Sequence, residues 1–283
     1  MIIDTHVHIW NLERSAYDWL KAAPDVLHKN YNLEDLEDLR LTASVDAGII
    51  VQADNTLDDT ALMIEAAEQH DWIKGIVGWL PLLNPPKTEQ LLQSVLSEEK
   101  YFKGVRHLIH DEPDDRWLLQ DAVIESLKLL SARQLPYDVV GVKTTHIQTA
   151  LQVAEKVPGL RMVFDHLNQP PIQSGEKFGE WGKLMKIAAA HPQFYAKISG
   201  MGTTAGKENF TAENIKPYVD FILAEFGSDR CFLGGDWPVS ILGGSYVHTW
   251  TVYQQVIEDL VSDEHTRNRI FSENAIAFYN LNL

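Results

Sequence analysis

The amino-acid sequence predicts an α/β fold, a single (β/α)8 TIM barrel with an extra C-terminal helix. Eight short apolar runs rich in β-branched residues recur along the chain, and amphipathic stretches separate them. This alternation indicates a parallel sheet, because parallel neighbours need crossover connections. Eight such units in 283 residues fit the length of one closed barrel. A doubly wound open sheet is the alternative, which the absence of a G-x-G-x-x-G motif after an early strand disfavours.

The predicted strands are the apolar runs themselves. They cover Ile2–His8, Ala47–Gln52, Ile73–Leu80, Lys103–Ile109, Pro136–Val140, Leu160–Leu167, Phe194–Ser199 and Arg230–Asp236. Helices are predicted where apolar residues recur at three- and four-residue spacing. They cover Leu33–Leu41, Asp58–His70, Thr88–Glu98, Trp117–Arg133, His146–Val157, Trp181–His191, Ala212–Phe226, Tyr246–Leu260 and, last, Asp263–Phe278. Since no linker rich in Pro, Gly or Ser interrupts this order, residues 1–283 are predicted to form one domain.

Charge and composition exclude several classes of function. The chain has 24 Lys and Arg against 40 Asp and Glu, a net charge of -16, whereas a nucleic-acid partner requires a basic surface. No apolar run approaches the ~20 residues of a membrane-spanning helix, and no basic amphipathic stretch suits a membrane surface. The single cysteine, Cys231, cannot form an intrachain disulfide, and no signal-peptide pattern is present. We therefore expect a cytoplasmic protein, monomeric or homo-oligomeric, with a small-molecule partner.

The polar face of the first strand is the strongest sign of a functional site. In MIIDTHVHIW, Asp4, His6 and His8 alternate with apolar residues and are expected to share one face. A central parallel strand is normally apolar nearly throughout, so this face requires polar partners. Asp4 is expected to orient an imidazole through a hydrogen bond.

Further titratable residues follow other predicted strands, at the end where (β/α)8 barrels carry their active sites. His166 follows the sixth strand and Asp236 the eighth. Three imidazoles and one carboxylate on one rim form a set of zinc ligands. His6, His8, His166 and Asp236 are therefore the predicted ligands of Zn²⁺ or another divalent metal. A lone histidine at a strand end is more often structural, so the prediction depends on all four occurring together.

Four more residues near strand ends are candidate substrate contacts, each with a structural alternative. Arg106 either binds substrate or pairs with the acidic run Asp111–Asp115. His107 either contacts substrate or bonds a loop carboxylate. Lys197 either polarises a carbonyl or pairs with an aspartate inside the barrel, and Trp237 either lines the pocket or packs in the core. The remaining histidines are expected mostly at the surface: His28, His70, His110, His146, His191, His248 and His265.

Three segments stand out in chain order: DTHVH near the start, VFDHLNQP in the middle and GGDWP near the end. They resemble the motifs of the amidohydrolase superfamily, in its amidohydrolase 2 branch. Three further segments, KGVRHLIHDEPDDRWLL, YDVV and KISGM, make the resemblance closer to sugar lactonases of the L-fuconolactonase and L-rhamnonolactonase type. The closing FSENAIAFYNL is similar to the usual tail of the branch, so the resemblance covers essentially the whole chain.

The resemblance implies a hydrolase of carbohydrate metabolism that converts a sugar-derived lactone to the aldonic acid with activated water. His6, His8, His166 and Asp236 would form its pocket, and Asp236 would activate water and later protonate the leaving alkoxide. Attack by zinc-bound hydroxide and attack by water activated by Asp236 alone are both open, since lactonase relatives include members thought to work without metal. The fifth strand also lacks the histidine of two-metal relatives.

Two other classes compete with lactone hydrolysis. A metal-dependent non-oxidative decarboxylase, or another carboxylic-ester hydrolase of the same branch, would use a similar H-x-H site. A decarboxylase needs a cationic clamp, but few arginines follow the strands (Arg106 and, further into a loop, Arg116), and the acidic HDEPDD lies beside them. This favours a neutral, polyhydroxylated substrate. A non-catalytic barrel would be marked by loss of one of the four site residues, and all four are present.

Overall fold

Eight parallel strands form a barrel at the centre of the molecule. The computed structural model describes residues 1–94 and 99–283. The strands are β1 (Ile3–Val7), β2 (Ala47–Val51), β3 (Ile73–Gly78), β4 (Phe102–Arg106), β5 (Tyr137–Val139), β6 (Met162–Phe164), β7 (Phe194–Ile198) and β8 (Cys231–Leu233). They pair in chain order, and a bridge between Val7 and Trp237 joins the two edges. The predicted (β/α)8 barrel is confirmed.

Helices connect the strands and cover the outside of the barrel. They are α1 (Glu37–Thr42), α2 (Leu57–Gln69), α3 (Pro85–Ser94), α4 (Asp121–Ala132), α5 (Thr144–Lys156), α6 (Gly179–Ala189), α7 (Met201–Ala205), α8 (Ala212–Phe226), α9 (Tyr246–Leu260), α10 (Glu264–Asn268) and α11 (Asn274–Tyr279). The helix predicted over Thr88–Glu98 corresponds to α3, and residues 95–98 lie outside the described residues. None of the helices in the described ranges has both the length and the apolar character needed to cross a lipid bilayer.

The amino-terminal end of the barrel is closed by the C-terminal helix. Side chains from alternate strand positions fill the interior: Ile3, Ala47, Ile49, Val51, Val77, Val163 and Phe232. Ala275, Phe278 and Tyr279 of α11 pack against this cluster. The extra C-terminal helix predicted from the sequence is therefore confirmed. Because this end is filled, the opposite end, where the strands terminate, is left for a site.

An irregularity in β1 changes which of its side chains face the mouth of the barrel. Between Asp4 and Val7, β1 carries one residue more than its partner β2. Asp4 consequently contacts α9 on the outside, whereas His6 and His8 reach the mouth, with their Nε2 atoms 3.1 Å apart. The prediction that Asp4 shares a face of the strand with His6 and His8 is therefore wrong, because the extra residue shifts the alternation of side chains.

The buried carboxylate of Asp4 fastens β1 to the segment that follows β8. Its Oδ1 accepts hydrogen bonds from the backbone amides of His6 at 2.9 Å and Gly235 at 2.7 Å. Its Oδ2 accepts from the Tyr246 hydroxyl at 2.7 Å. Burial raises the pKa of Asp4 to about 6, against the opposing effect of these hydrogen bonds. The predicted contact with an imidazole is wrong, since Asp4 holds the backbone around the site instead.

Candidate active site

Four predicted site residues converge at the carboxyl ends of the strands. His6 and His8 come from β1 and the residue just beyond it, His166 from the turn after β6, and Asp236 from the turn after β8. The Oδ1 atom of Asp236 lies 3.8 Å from Nε2 of His6, 3.5 Å from Nε2 of His8 and 3.9 Å from Nε2 of His166. One carboxylate oxygen therefore faces three imidazole nitrogens.

Left-handed backbone turns direct His166 and Asp236 into the site. The φ angle of His166 is 55° and that of Asp236 is 57°, a conformation that costs about 1 kcal/mol or more in a residue other than glycine. The Asp236 amide donates to the His6 carbonyl at 2.7 Å, which holds the second turn against β1. The predicted sixth and eighth strands were therefore too long, because the chain turns after Phe164 and Leu233.

Hydrogen bonds fix the rings of His8 and His166. The Nδ1–H of His8 donates to the Val51 carbonyl at 2.7 Å, so Nε2 carries the lone pair and faces Nε2 of His6 and Asp236. Nδ1 of His166 lies 2.9 Å from the Ser199 hydroxyl oxygen. A Cβ atom on the next residue, Gly200, would lie 2.6 Å from this nitrogen, so the close packing requires glycine. These contacts leave both Nε2 atoms pointing into the site.

The site residues fit one divalent metal ion. Ligand atoms of His6, His166 and Asp236 lie within 4.8 Å of one another, and His8 adds a nitrogen 3.1 Å from that of His6. Burial lowers the pKa of both His6 and His8, which favours the neutral rings that bind metal. Imidazole and carboxylate are common zinc ligands. The guanidinium of Arg106 borders the same space, with Nη1 3.2 Å from Nε2 of His6.

Arg106 and Lys197 belong to a buried ion-pair network beneath these rings. Nη1 of Arg106 donates to Oδ2 of Asp165 at 3.1 Å, so it pairs with this residue rather than with the acidic run on its own loop. Nζ of Lys197 lies 2.6 Å from Oδ2 of Asp138 and 2.8 Å from Oδ1 of Asp165. Although burial opposes it, Lys197 holds the pKa of Asp165 well below its usual range. Of the two predicted roles, Lys197 therefore has the second, a pairing with aspartates inside the barrel.

Two other predicted substrate contacts are used for packing. The His107 ring stacks on Trp117 with centroids 3.8 Å apart, and its Nε2 lies 2.7 Å from Oε1 of Glu112. Of its two predicted roles, His107 therefore has the second, a bond to a loop carboxylate. The Trp237 indole packs edge-on against Tyr31 at 5.3 Å and is 3% exposed. The structure does not bring His107, Trp237 or Lys197 to the pocket lining.

A pocket of about 180 Å³ opens above His8, His166 and Asp236. Its other lining residues are mostly apolar: Trp19, Ala53, Leu108, Val140, Val142, Gly200, Thr203 and Val239, with the polar Arg106, His110 and Gln169. His110 was expected at the surface, but it lines the pocket. Its position just beyond the end of β4 could have indicated this, because a short 3-10 turn over Ile109–Asp111 returns the loop to the mouth of the barrel.

The fold and the site place this chain among (β/α)8 barrels with a histidine–aspartate site at the carboxyl ends of the strands. Comparison with known proteins gives the family. Residues 3–281 match the Amidohydrolase family model, so the chain belongs to this family. It is 30% identical over 282 residues to L-fucono-1,5-lactonase of Burkholderia ambifaria, covering 99% of this chain and 95% of that protein. It is 22% identical over 334 residues to L-rhamnono-gamma-lactonase of Scheffersomyces stipitis, covering 99% and 98%.

A solved structure with bound zinc shares the fold of this chain. This is the crystal structure of an amidohydrolase from Burkholderia multivorans with bound zinc, which superposes with a TM-score of 0.90 and 26% identity over all of both chains. The resemblance to the amidohydrolase superfamily and its sugar lactonases, stated from the sequence motifs, is thereby confirmed. The zinc-bound relative is consistent with the metal fit of His6, His166 and Asp236.

Proposed function

We propose that this protein hydrolyses a sugar-derived lactone, such as an L-fucono- or L-rhamnonolactone, to the aldonic acid. The observation that carries the proposal is the convergence of Asp236, His8 and His166 at the floor of a largely apolar pocket, with His6 directly beneath them. Two relatives that match nearly the whole chain are named lactonases, which supports the substrate class.

Asp236 is the proposed general base and then the general acid. Its carboxylate takes one proton from water as the water oxygen bonds to the lactone carbonyl carbon, which gives a tetrahedral oxyanion. The bond from that carbon to the ring oxygen then breaks, and Asp236 returns its proton to the departing ring oxygen. The open-chain product is an acid that ionises at neutral pH, so turnover releases one proton.

The guanidinium of Arg106 is the proposed stabiliser of the oxyanion. It lines the pocket beside Asp236, and its bond to Asp165 holds it in place. A well-placed donor of this kind stabilises a transition state by roughly 3 kcal/mol. When held by His6, His166 and Asp236, a divalent metal would supply Lewis-acid polarisation and a more acidic water.

The pocket lining favours a neutral lactone over an aromatic acid or a dicarboxylate. Among its described lining residues, Arg106 is the sole lysine or arginine. Because Arg106 is the proposed partner of the oxyanion, the described lining offers no second cation to clamp a carboxylate. His110 and Gln169 remain to bond substrate hydroxyls. These features oppose the decarboxylase alternative.

A proton-release assay on purified protein tests the proposal. Aldonolactones with five- and six-membered rings are compared in weak buffer with a pH indicator, before and after chelator treatment. Acid release well above spontaneous hydrolysis for at least one lactone is expected. No release from any lactone, together with carbon dioxide release from dihydroxybenzoates, would replace the proposal with the decarboxylase alternative.

A further inference from the structure

A series of buried polar contacts joins the C-terminal helix to the site at the other end of the barrel. The Tyr279 hydroxyl on α11 donates to Oδ2 of Asp138 at 2.7 Å, and Nζ of Lys197 lies 2.6 Å from the same oxygen. Nζ of Lys197 also lies 2.8 Å from Oδ1 of Asp165 and 3.4 Å from Nδ1 of His6. The contacts therefore run without a gap from Tyr279 to a ring of the site.

We propose that Tyr279, Asp138, Lys197 and Asp165 are positioning residues that fix the His6 imidazole for lactone hydrolysis. The inference rests on the proposed function for its kinetic consequence. None of the four lines the pocket, so none acts on the substrate directly. They act through the groups that they hold, which are His6 and, by the bond from Asp165, the guanidinium of Arg106.

Burial makes this arrangement rigid. The side chains of the four residues and of His6 are 0–1% exposed, and charges at such depth persist only when they are paired. The ammonium of Lys197 is held between two carboxylates and cannot rotate away without leaving a charge unpaired. Nδ1 of His6 faces this ammonium and lies 3.5 Å from Oδ1 of Asp165. The His6 ring is thereby limited to one orientation, with Nε2 towards the mouth.

The competing interpretation is that the network only fills the barrel with mutually satisfied polar groups. In that case its loss would lower stability and leave the catalytic step alone. Tyr279 separates the two interpretations best, because its hydroxyl contacts neither His6 nor the pocket and its ring packs among apolar residues. Tyr279→Phe removes that hydroxyl and retains the ring.

Tyr17→Phe is the matched control. Tyr17 is likewise fully buried, and its hydroxyl donates to Oδ1 of the buried Asp59 at 3.0 Å. For Tyr279→Phe we expect a kcat about 10-fold lower, because a less firmly oriented His6 ring stabilises the transition state less, with KM changed less than about twofold. We also expect shifted side-chain nitrogen resonances of His6 in NMR spectra. The control should keep both its kcat and its His6 resonances.

Three outcomes would overturn the proposal or separate it from the proposed function. Equal kcat and equal His6 resonances in Tyr279→Phe and Tyr17→Phe would overturn it, whatever the loss of stability. Strictly additive effects of Tyr279→Phe and Asp138→Asn in the double variant would also contradict it, because members of one series are coupled. If the wild-type protein hydrolyses no lactone, the proposed function fails, and the His6 resonances of Tyr279→Phe alone decide the positioning role.

Discussion

Nε2 of His8 lies 3.5 Å from Oδ1 of Asp236, although the two residues come from opposite ends of the chain. The same region closes the barrel, because the His8 amide donates to the Trp237 carbonyl at 2.7 Å and the Asp236 amide donates to the His6 carbonyl at 2.7 Å. Closure of the barrel and assembly of the site therefore depend on one set of contacts. A substitution that displaces this backbone should affect both, whereas one that keeps the side-chain shape should affect the site alone.

Asp4→Ala should destabilise the fold strongly. The change leaves two buried amides, of His6 and Gly235, and the Tyr246 hydroxyl without their acceptor. Each such loss costs roughly 1–3 kcal/mol, so urea denaturation should show a loss of at least about 3 kcal/mol in the free energy of unfolding. Asp46→Ala is the control, since this exposed carboxylate also accepts a backbone amide beside β1, from Ile2 at 2.8 Å. Equal losses in the two variants would contradict the role of Asp4.

Asp59 should make stability depend on pH. Burial raises its pKa from 3.8 to about 7, although Tyr17 and the Ala53 amide donate to it. Between these two pH values the native state keeps a proton that the unfolded chain has released. The contribution of Asp59 to stability therefore falls as the pH rises through 7. The Asp59→Asn side chain cannot ionise. The difference in Tm between this variant and wild type should therefore shift in favour of the variant as the pH rises from about 5 to 8. A difference independent of pH would show that the raised pKa is wrong.

Zinc should stabilise the protein through the predicted ligands. A ligand that binds the native state alone adds about 2.7 kcal/mol at a hundred times its Kd, so zinc should raise the Tm of chelator-treated protein. His166→Gln should remove most of this rise. His107→Gln should keep it, because the His107 ring is bonded to Glu112 instead. An equal rise in the two variants would place the metal elsewhere.

His110→Ala should weaken substrate binding more than catalysis. The ring lines the pocket, and loss of a contact made equally in the ground and transition states raises KM and leaves kcat unchanged. Steady-state kinetics should show KM higher by about 5-fold or more. His265→Ala, on the exposed part of α10, is the control. A large loss of kcat at unchanged KM would instead give His110 a role in the chemical step.

The fold could be predicted from the sequence because strands buried on both faces are apolar throughout and alternate with amphipathic helices. The rim residues could be predicted because the ends of parallel strands meet at one edge. The outward position of Asp4 could not be predicted, because nothing in the sequence pattern indicates the extra residue in β1. The left-handed turn at His166 could not either, since it lacks glycine. The partners of Lys197 could not be identified either, because they come from β5 and from the residue after β6 and meet only in the tertiary fold.

The role of Asp236 is the central claim, and its test is the kcat of Asp236→Asn beside that of wild type on the best lactone substrate. Asparagine keeps the shape of the side chain but cannot take a proton from water. We predict that kcat falls by about 10³-fold, while the circular dichroism spectrum is unchanged. An Asp236→Asn protein that keeps kcat within about tenfold of wild type would contradict the account.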